Sequence, residues 1–153
     1  MLLGMKRVLV TGGAGFIGSN FLHWLARNTD ASWTVLDSLT YAGNLASFEG
    51  LPSERHAFVE GSVADLDLVS ELVEAHDVVD FAAESHNDNS LDAPRAFIDT
   101  NIVGTFNVLQ AVRVHERRLH HVSTDEVYGD LELNDPAKFA PDSPYRPSSP
   151  YSA

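Results

Sequence analysis

The sequence predicts an α/β fold, a doubly wound parallel sheet formed by one domain over residues 1–153. Short apolar runs of strand length alternate with longer segments of helical periodicity. A glycine-rich turn follows the first run, and adjacent carboxylates follow the last one. A chain of 153 residues with 44% hydrophobic content is large enough for one such domain with a core.

Five apolar runs, bounded by polar residues or glycine, predict the strands. In chain order they are residues 7–11, 33–36, 56–60, 78–82 and 119–123. Helical segments separate them, so each connection is expected to be a crossover between parallel strands. The strands should therefore present their carboxyl ends at one edge of the sheet.

Helical periodicity predicts the connecting helices. In chain order they are residues 15–27, a short helix over 44–48, residues 65–75 with Leu68, Leu72 and Val73 apolar, and a long helix from Pro94 to about His115. The first helix is predicted to carry one apolar face with Phe16, Ile17, Phe21, Leu22 and Leu25. The tail over residues 135–150 contains five prolines and no periodicity, which predicts a loop over the carboxyl edge of the sheet.

The long helix has two faces that could be buried. Ile98, Ile102, Thr105, Leu109 and Val112 have the spacing of a core stripe. A second stripe of smaller residues contains Phe97, Asn101, Gly104, Val108 and Ala111. Burial within one domain and packing against a partner subunit both remain open.

Composition excludes several classes of partner. The formal net charge of −12 argues against nucleic acid and anionic membrane surfaces. The chain has no cysteine, and therefore no disulfides and no thiolate metal site. No apolar run approaches the ~20 residues of a membrane helix, and residues 1–7 lack the order of a signal peptide. We expect a cytoplasmic protein.

The turn after the first strand predicts a dinucleotide site. Gly13, Gly15 and Gly18 fit G-x-G-x-x-G, and Gly12 begins the related G-x-x-G-x-x-G spacing. Such glycines allow a tight turn, close approach of backbone to a pyrophosphate and close packing of helix on strand, as in Rossmann-like folds. The helix N-terminus then offers N–H donors to the phosphates. The alternative is a tight turn that binds nothing.

An acidic residue follows the glycine turn at the expected distance. Asp37 ends the second strand, about 20 residues past the turn, where a carboxylate binds the adenosine ribose hydroxyls. A carboxylate at this place would repel a 2′-phosphate. We therefore expect NAD rather than NADP.

Residues Ser123 to Gly129, STDEVYG, follow the last strand and are the most informative segment. The adjacent carboxylates of Asp125 and Glu126 could divide acid and base work at the edge where a parallel sheet places its chemistry. Ser123-x-x-Glu126 also fits a helix capping box, and Tyr128 could be a core aromatic. Both alternatives remain open at this point.

Six segments together carry a resemblance that covers nearly the whole chain. They are TGGAGFIGSNF (11–21), LDSLTYAGN (36–44), FAAESH (81–86), TNIVGT (100–105), HHVSTDEVYGDL (120–131) and PSSPYSA (147–153). In this order they resemble the extended short-chain dehydrogenase/reductases, and most closely the dTDP-glucose 4,6-dehydratase family. LDSLTYAGN and STDEVYGD are much more specific than the glycine turn.

The resemblance implies a mechanism that belongs to nucleotide-sugar and deoxysugar biosynthesis. Tyr151 takes the proton of the sugar 4-hydroxyl while hydride passes to NAD⁺, and Thr124 positions that hydroxyl. Glu126 removes the C5 proton, and Asp125 protonates the departing 6-hydroxyl. Since Asp125 must be protonated and Glu126 ionised, their environments must separate their pKa values. Ser85 would also face the dTDP-glucose substrate.

The same resemblance implies which residues line the NAD site. They are Gly12, Gly15, Phe16, Ile17, Gly18, Asp37, Ser38, Leu39, Thr40, Ser62, Val63, Phe81, Ala82, Ala83, Glu84, Ser85 and Thr100. Residues 81–83 could instead be plain buried strand, and Ser85 and Thr100 ordinary hydroxyls at helix ends. No metal is expected, because His120 and His121 alternate across a strand and face opposite sides.

The sequence departs from the family pattern in three places. Ser62 stands where the family often has an aspartate that accepts from adenine, and Asn87 and Asn89 alter the segment after His86. The third departure is length, because the chain ends before the lysine expected four residues after Tyr151. Residues 1–153 are therefore expected to be an incomplete NAD-binding Rossmann domain without its C-terminal substrate lobe, and inactive alone.

The resemblance also implies a homodimer formed through the helix that begins at Pro94. Two alternatives to the dTDP-glucose activity remain. One is another extended family member, either a 4,6-dehydratase of a different nucleotide sugar or a 4-epimerase. The other is a non-catalytic NAD-binding module.

Overall fold

The computed structural model describes residues 4–134 and 136–153. Residues 1–3, part of the segment tested for a signal peptide, and Asp135, the first residue of the predicted tail loop, lie outside the described residues. So does the side chain of Asn87, one of the expected departures on the substrate side. None of the helices in the described ranges combines the length and apolar character needed to cross a membrane.

Five parallel strands form one sheet, as predicted. They are β1 (Arg7–Thr11), β2 (Ser32–Asp37), β3 (His56–Glu60), β4 (Asp77–Asp80) and β5 (Leu119–His121), in the spatial order β3-β2-β1-β4-β5. The order reverses between β1 and β4, and this topological switch point is where such sheets bind ligands.

β4 and β5 end earlier than predicted, at Asp80 and His121. The next residues still bond to the neighbouring strands, because Phe81 N–H donates to Thr11 O and Val122 N–H donates to Asp80 O. Beyond these bonds the chain leaves the ladder, and residues 81–85 and 122–124 become available to line a site.

The helices cover both faces of the sheet. They are α1 (Phe16–Asn28), α2 (Leu66–Val73), α3 (Asn87–Asp92), α4 (Pro94–Phe97), a π-helical segment (Ile98–Gly104) and α5 (Thr105–Val114), with 3₁₀ turns at Leu45–Phe48, Ser53–Arg55 and Asp125–Tyr128. α4, the π segment and α5 run on without a break and form the predicted long helix. α3 was not predicted, because its sequence NDNSLD has no apolar periodicity.

The core has one layer on each face of the sheet. Leu22 and Leu25 of α1 pack on one face, against strand residues that include Val8, Val10 and Val35. Residues of α2 and α5 pack on the other face, against Leu9, Leu36 and Val78.

The predicted apolar face of α1 is only partly a core face. Leu22 and Leu25 are buried, but Phe16 is 84% exposed and Ile17 is 61% exposed. The two exposed residues occupy the first turn of α1, which follows directly on the glycine turn at the carboxyl edge of the sheet. Their apolar side chains are therefore available to a ligand.

The two candidate faces of the long helix differ in burial, although Val112 of the first stripe is partly buried against the core. Ile98, Ile102 and Leu109 are between 42% and 51% exposed. The stripe of smaller residues is the buried one, because Phe97, Gly104, Val108 and Ala111 pack inwards. Small residues let the helix approach the sheet closely, and the wider π turn, with its i→i+5 bonds, changes which residues share a face.

A buried histidine makes stability depend on pH. His76 is 9% exposed, its Nδ1 lies 2.6 Å from Leu72 O and its Nε2 lies 3.1 Å from Thr34 Oγ1. Burial lowers the pKa of His76 below its ordinary 6.5, helped by the nearby charges of Arg7 and Arg117 and opposed by the Leu72 bond.

We expect this histidine to weaken the fold in mild acid. Because the folded-state pKa is depressed, the stabilisation is complete above about pH 6.5 and is lost as pH falls below it. Urea unfolding of wild type and His76→Gln between about pH 8 and about pH 5 measures this. The stability difference between them should shrink towards acid pH, and a constant difference would contradict the assignment.

Candidate active site

A cavity of about 540 Å³ lies at the carboxyl edge of the sheet. Its walls come from the turn after β1, the ends of β2, β4 and β5, the π segment and residues 151–153. The lining includes these predicted site residues: Gly12, Gly15, Phe16, Ile17, Gly18, Asp37, Ser38, Thr40, Ser62, Val63, Phe81, Ala82, Ala83, Glu84, Ser85, Thr100, Thr124 and Tyr151. Leu39, Asp125 and Glu126 are not part of the lining.

The glycine turn brings β1 against the end of β4. Gly12 has φ +65°, and a Cβ there would lie 2.8 Å from Ala82 N and from the carbonyl carbon of Phe81. A Cβ on Gly18 would meet the carbonyl oxygen of Gly12. Only glycine fits these two positions, and the result is a bare backbone surface beside the cavity.

The N-terminus of α1 opens onto this surface without a cap. Gly15 is the N-cap residue, and no side chain of the described residues bonds the first-turn N–H groups. The first turn of a helix carries up to four N–H groups without helical partners and the positive end of the dipole. This arrangement fits a pyrophosphate.

Asp37 ties the loop after β2 to the glycine turn. Its Oδ2 accepts from Ala14 N–H and its Oδ1 accepts from Leu39 N–H, both at 2.9 Å. Leu39 has φ +49° and acts through this bond rather than at the cavity wall. A carboxylate offers about four acceptor sites, so Asp37 keeps acceptor capacity for ribose hydroxyls. Ser62 Oγ accepts from Ala64 N–H at 3.1 Å.

The predicted acid–base segment forms the 3₁₀ turn Asp125–Tyr128. Its cap is Thr124, whose Oγ1 accepts from Glu126 N–H at 3.2 Å, so the capping-box interpretation with Ser123 is replaced. Thr124 lines the cavity, whereas Asp125 is exposed and Glu126 is half-buried outside the lining. The structure therefore brings Thr124 and Tyr151 to one cavity and leaves the two carboxylates beside it.

The tail lies against this turn. Arg146 N–H donates to Val127 O at 2.9 Å, and the ring of Tyr128 packs on Phe139 and Tyr145 with centroids 5.3 and 5.6 Å apart. Tyr128 thus anchors the tail instead of entering the sheet core. A turn from Ser149 to Ser152, closed by a 3.2 Å backbone bond, carries the ring of Tyr151 to the cavity.

Sequence reasoning missed the role of Asn101. Its Oδ1 accepts from Glu84 N–H and its Nδ2 donates to Glu84 O, both at 2.9 Å. This pair of bonds holds the backbone of the cavity wall after β4. Asn101 lies within the motif TNIVGT, but no sequence signal pairs it with Glu84, which lies 17 residues earlier.

His121 was considered only as a metal ligand, and it instead joins a hydrogen-bonded row. Its Nδ1 lies 2.8 Å from Asp80 Oδ2, and Thr11 Oγ1 donates to Asp80 Oδ1. The hydrogen bond that the His121 ring donates to the Asp80 carboxylate raises the pKa of His121 above 6.5, although burial opposes it. No group of three or more metal-ligating side chains occurs in residues 4–134 and 136–153.

Comparison with known proteins agrees with this architecture. A dTDP-glucose 4,6-dehydratase of Mycobacterium tuberculosis is 58% identical over 149 residues, covering 96% of this chain and 45% of that protein. DesIV, a dTDP-glucose 4,6-dehydratase of Streptomyces venezuelae solved with NAD bound, has TM-score 0.87 and 42% identity over 95% of this chain and 47% of that one.

A UDP-Glc/GlcNAc 4-epimerase of Campylobacter jejuni has TM-score 0.83 and 30% identity over 96% of this chain and 45% of that one. The chain thus spans about half the length of the relatives it matches. The family model described as GDP-mannose 4,6 dehydratase matches residues 9–153. This chain therefore belongs to the GDP-mannose 4,6 dehydratase family, within the extended short-chain dehydrogenase/reductases.

Proposed function

We propose that residues 1–153 are the NAD-binding part of an enzyme that dehydrates dTDP-glucose to dTDP-4-keto-6-deoxyglucose. The observation that carries the proposal is that Thr124 and Tyr151 line the same cavity as the glycine turn. The names of the Mycobacterium tuberculosis and Streptomyces venezuelae relatives support this substrate.

The residues around the cavity fit NAD. The uncapped N-terminus of α1 and the bare backbone at Gly12 and Gly18 suit the pyrophosphate, and Asp37 suits the adenosine ribose. When bound, NAD accepts a hydride from C4 of the sugar and returns it to C6. Phe16 and Ile17, whose apolar side chains are exposed in this structure, would pack against the bound dinucleotide.

Tyr151 and Thr124 act on the sugar 4-hydroxyl in this proposal. Tyr151 Oη takes the hydroxyl proton, and Thr124 Oγ1 donates a hydrogen bond that holds the hydroxyl for transfer. Thr124 already accepts from Glu126 N–H, and its own proton remains available for the sugar. The backbone bond between Val127 and Arg146 ties the tail that carries Tyr151 to the turn after Thr124.

Asp125 and Glu126 complete the elimination. Oxidation at C4 acidifies the C5 proton, which Glu126 removes, while Asp125 protonates the departing 6-hydroxyl. Both lie directly after Thr124 on a turn that Thr124 caps, so the sugar must extend from the cavity towards this turn. Two carboxyl groups in opposite protonation states divide the acid and base roles.

A 4-epimerase is the second candidate, because the Campylobacter jejuni epimerase shares the fold at TM-score 0.83. Epimerisation removes no water and needs neither a C5 base nor an acid at the 6-hydroxyl. The paired carboxylates Asp125 and Glu126 favour dehydration. A module that binds NAD without catalysis would need neither Tyr151 nor these carboxylates at the site.

A chimera tests the activity. Residues 1–153 would replace the matching part of the Mycobacterium tuberculosis relative, so that the remainder supplies the other half of the length. With dTDP-glucose and NAD we expect a 4-keto-6-deoxy product, measured by its ultraviolet absorbance in base. The chain alone should bind NAD weakly without turnover. Product with an inverted C4 and no loss of water would favour the epimerase, and NAD binding without product would favour the module.

We also propose a cytoplasmic location. The chain has no cysteine and therefore does not rely on the disulfides common in exported proteins. Fractionation of cells that express the untagged protein tests this, with recovery from the periplasm or medium as the contradictory result.

The long helix supports a further proposal, a homodimer formed through its outer face. Ile98, Ile102, Phe106 and Leu109 expose between 42% and 57% of their surface on the side away from the sheet. A stripe of this kind can pack against its own copy around a two-fold axis, which is the commonest symmetry of soluble oligomers. A large contiguous apolar surface is unusual on a monomer.

The double change Ile102→Glu and Phe106→Glu is expected to convert the dimer to a monomer. Loss of a central apolar anchor costs about 2 kcal/mol or more, so the dissociation constant should rise at least about 30-fold. Sedimentation equilibrium of the chimera measures it. Leu133→Glu is the matched control, because Leu133 is fully exposed outside this helix. A monomeric wild type, or a dimer that survives the double change, would contradict the interface.

A further inference from the structure

A row of three polar side chains crosses the carboxyl edge of the sheet. Thr11 of β1, Asp80 of β4 and His121 of β5 are register neighbours, and their side chains therefore lie on the same face. Asp80 is 2% exposed and is bonded on both sides, by Thr11 Oγ1 and by His121 Nδ1 at 2.8 Å. The mechanism proposed above uses none of the three.

His121 is the member of this row that lines the cavity. The cavity wall contains no lysine or arginine among the described residues, and its charged or titratable members besides His121 are Asp37, Glu84, His86 and Tyr151. Among the described residues of the cavity wall, only these two histidines can carry a positive charge. Both histidines are exposed, but His86 stacks on Tyr41 with centroids 5.8 Å apart, whereas the 37% exposed side chain of His121 is bonded to a buried carboxylate.

The topology indicates which part of the dinucleotide reaches His121. The pyrophosphate lies at the turn after β1 and the adenosine ribose at Asp37 after β2, so the nicotinamide half must extend across the switch point over β4 and β5. His121 ends β5, two residues before Ser123 and three before Thr124. The neutral side chains of Thr100, Asn101 and Thr105 line the cavity from the long helix.

We propose that His121, held by Asp80, sets the relative affinity of the site for the oxidised and reduced dinucleotide, an inference that rests on the proposed NAD site. The oxidised nicotinamide ring carries a positive charge that the reduced ring lacks. An imidazolium near this ring disfavours NAD⁺ relative to NADH and so makes the bound cofactor a stronger oxidant. Asp80 acts through His121 as a positioning residue.

Calorimetry on the chimera at about pH 6 and about pH 9 gives the dissociation constants of NAD⁺ and NADH and tests the proposal. In wild type the ratio of the NAD⁺ constant to the NADH constant should be about 3- to 10-fold larger at the lower pH, as expected for two charges several ångströms apart in a partly solvated site. His121→Gln should remove this change. His86→Gln should keep it, and therefore separates the two histidines of the cavity.

Asp80→Asn tests the second half of the proposal. An amide can still accept from Thr11 but no longer favours the imidazolium, so the pH at which the ratio changes should move downwards. An NMR titration of the His121 ring in wild type and Asp80→Asn follows the same shift without any cofactor. A ratio that is independent of pH in wild type, or a change that persists in His121→Gln, overturns the proposal.

The same calorimetry distinguishes failure of this inference from failure of the proposed NAD site. If both nucleotides bind and their ratio does not respond to pH, the NAD site stands and the role of His121 falls. If neither nucleotide binds to the folded protein, the NAD site itself falls, and the role of His121 falls with it.

Discussion

Replacing Gly12 by alanine is expected to destabilise the protein by about 3 kcal/mol and to abolish NAD binding. The φ of +65° costs an L-residue about 1–2 kcal/mol. The added Cβ would also lie 2.8 Å from Ala82 N, and because this neighbour is backbone, β1 and β4 must separate. Overpacking of this kind costs about 1–3 kcal/mol more.

Gly50→Ala is the matched control for this experiment. Gly50 has φ +82°, but a Cβ there would meet no atom within 4 Å. Alanine at this position should therefore cost only the backbone term, about 1–2 kcal/mol, and leave NAD binding unchanged. Urea unfolding gives both stabilities and calorimetry gives both affinities. Equal losses of stability would show that close approach at Gly12 contributes nothing.

Tyr151→Phe in the chimera is expected to lower kcat by about 10²- to 10⁴-fold, the usual contribution of a positioned general base. The phenyl ring keeps the shape of the cavity wall and removes only the hydroxyl that takes the sugar proton. NAD affinity should consequently stay within about 3-fold of wild type, since the proposed pyrophosphate and ribose contacts do not involve Tyr151.

Tyr145→Phe is the control, because Tyr145 packs on Tyr128 and does not line the cavity. Its turnover should match that of the unmodified chimera. Steady-state kinetics with dTDP-glucose measure both variants. Turnover retained in Tyr151→Phe would remove Tyr151 from the catalytic role, and an equal loss in Tyr145→Phe would point to disruption of the tail instead.

Local patterns predicted most of the fold. β1 and β3 have the predicted bounds, since their apolar runs are short and sharply bounded. α3 and the π segment were not predicted, because the periodicity of apolar residues reveals neither of them. Which face of the long helix is buried could not be predicted either. A 3.6-residue repeat places Ile98, Ile102 and Leu109 on one stripe, but which stripe meets the sheet depends on the approach distance that Gly104 and Ala111 permit.

The site shows the same division. The glycine turn and Asp37 could be predicted from the sequence, because a glycine-rich turn with an acidic residue about 20 residues later is a known motif. The bonds between Asn101 and Glu84 and between His121 and Asp80 join residues 17 and 41 positions apart. No sequence motif or periodicity predicts hydrogen bonds between such pairs of residues. The sequence likewise did not predict that Asp125 and Glu126 lie outside the cavity lining, because the 3₁₀ turn capped by Thr124 sets the positions of their side chains.

The amino-acid sequence by itself determined the alternation of strands and helices, the parallel sheet, the glycine turn and the family resemblance. Each of these can be recognised from periodicities and motifs within short segments of the chain. The tertiary structure decided which helix face is buried, which predicted residues share the cavity, and that His121 bonds a buried carboxylate. Those outcomes depend on strand order and packing distance, which place residues remote in sequence a few ångströms apart.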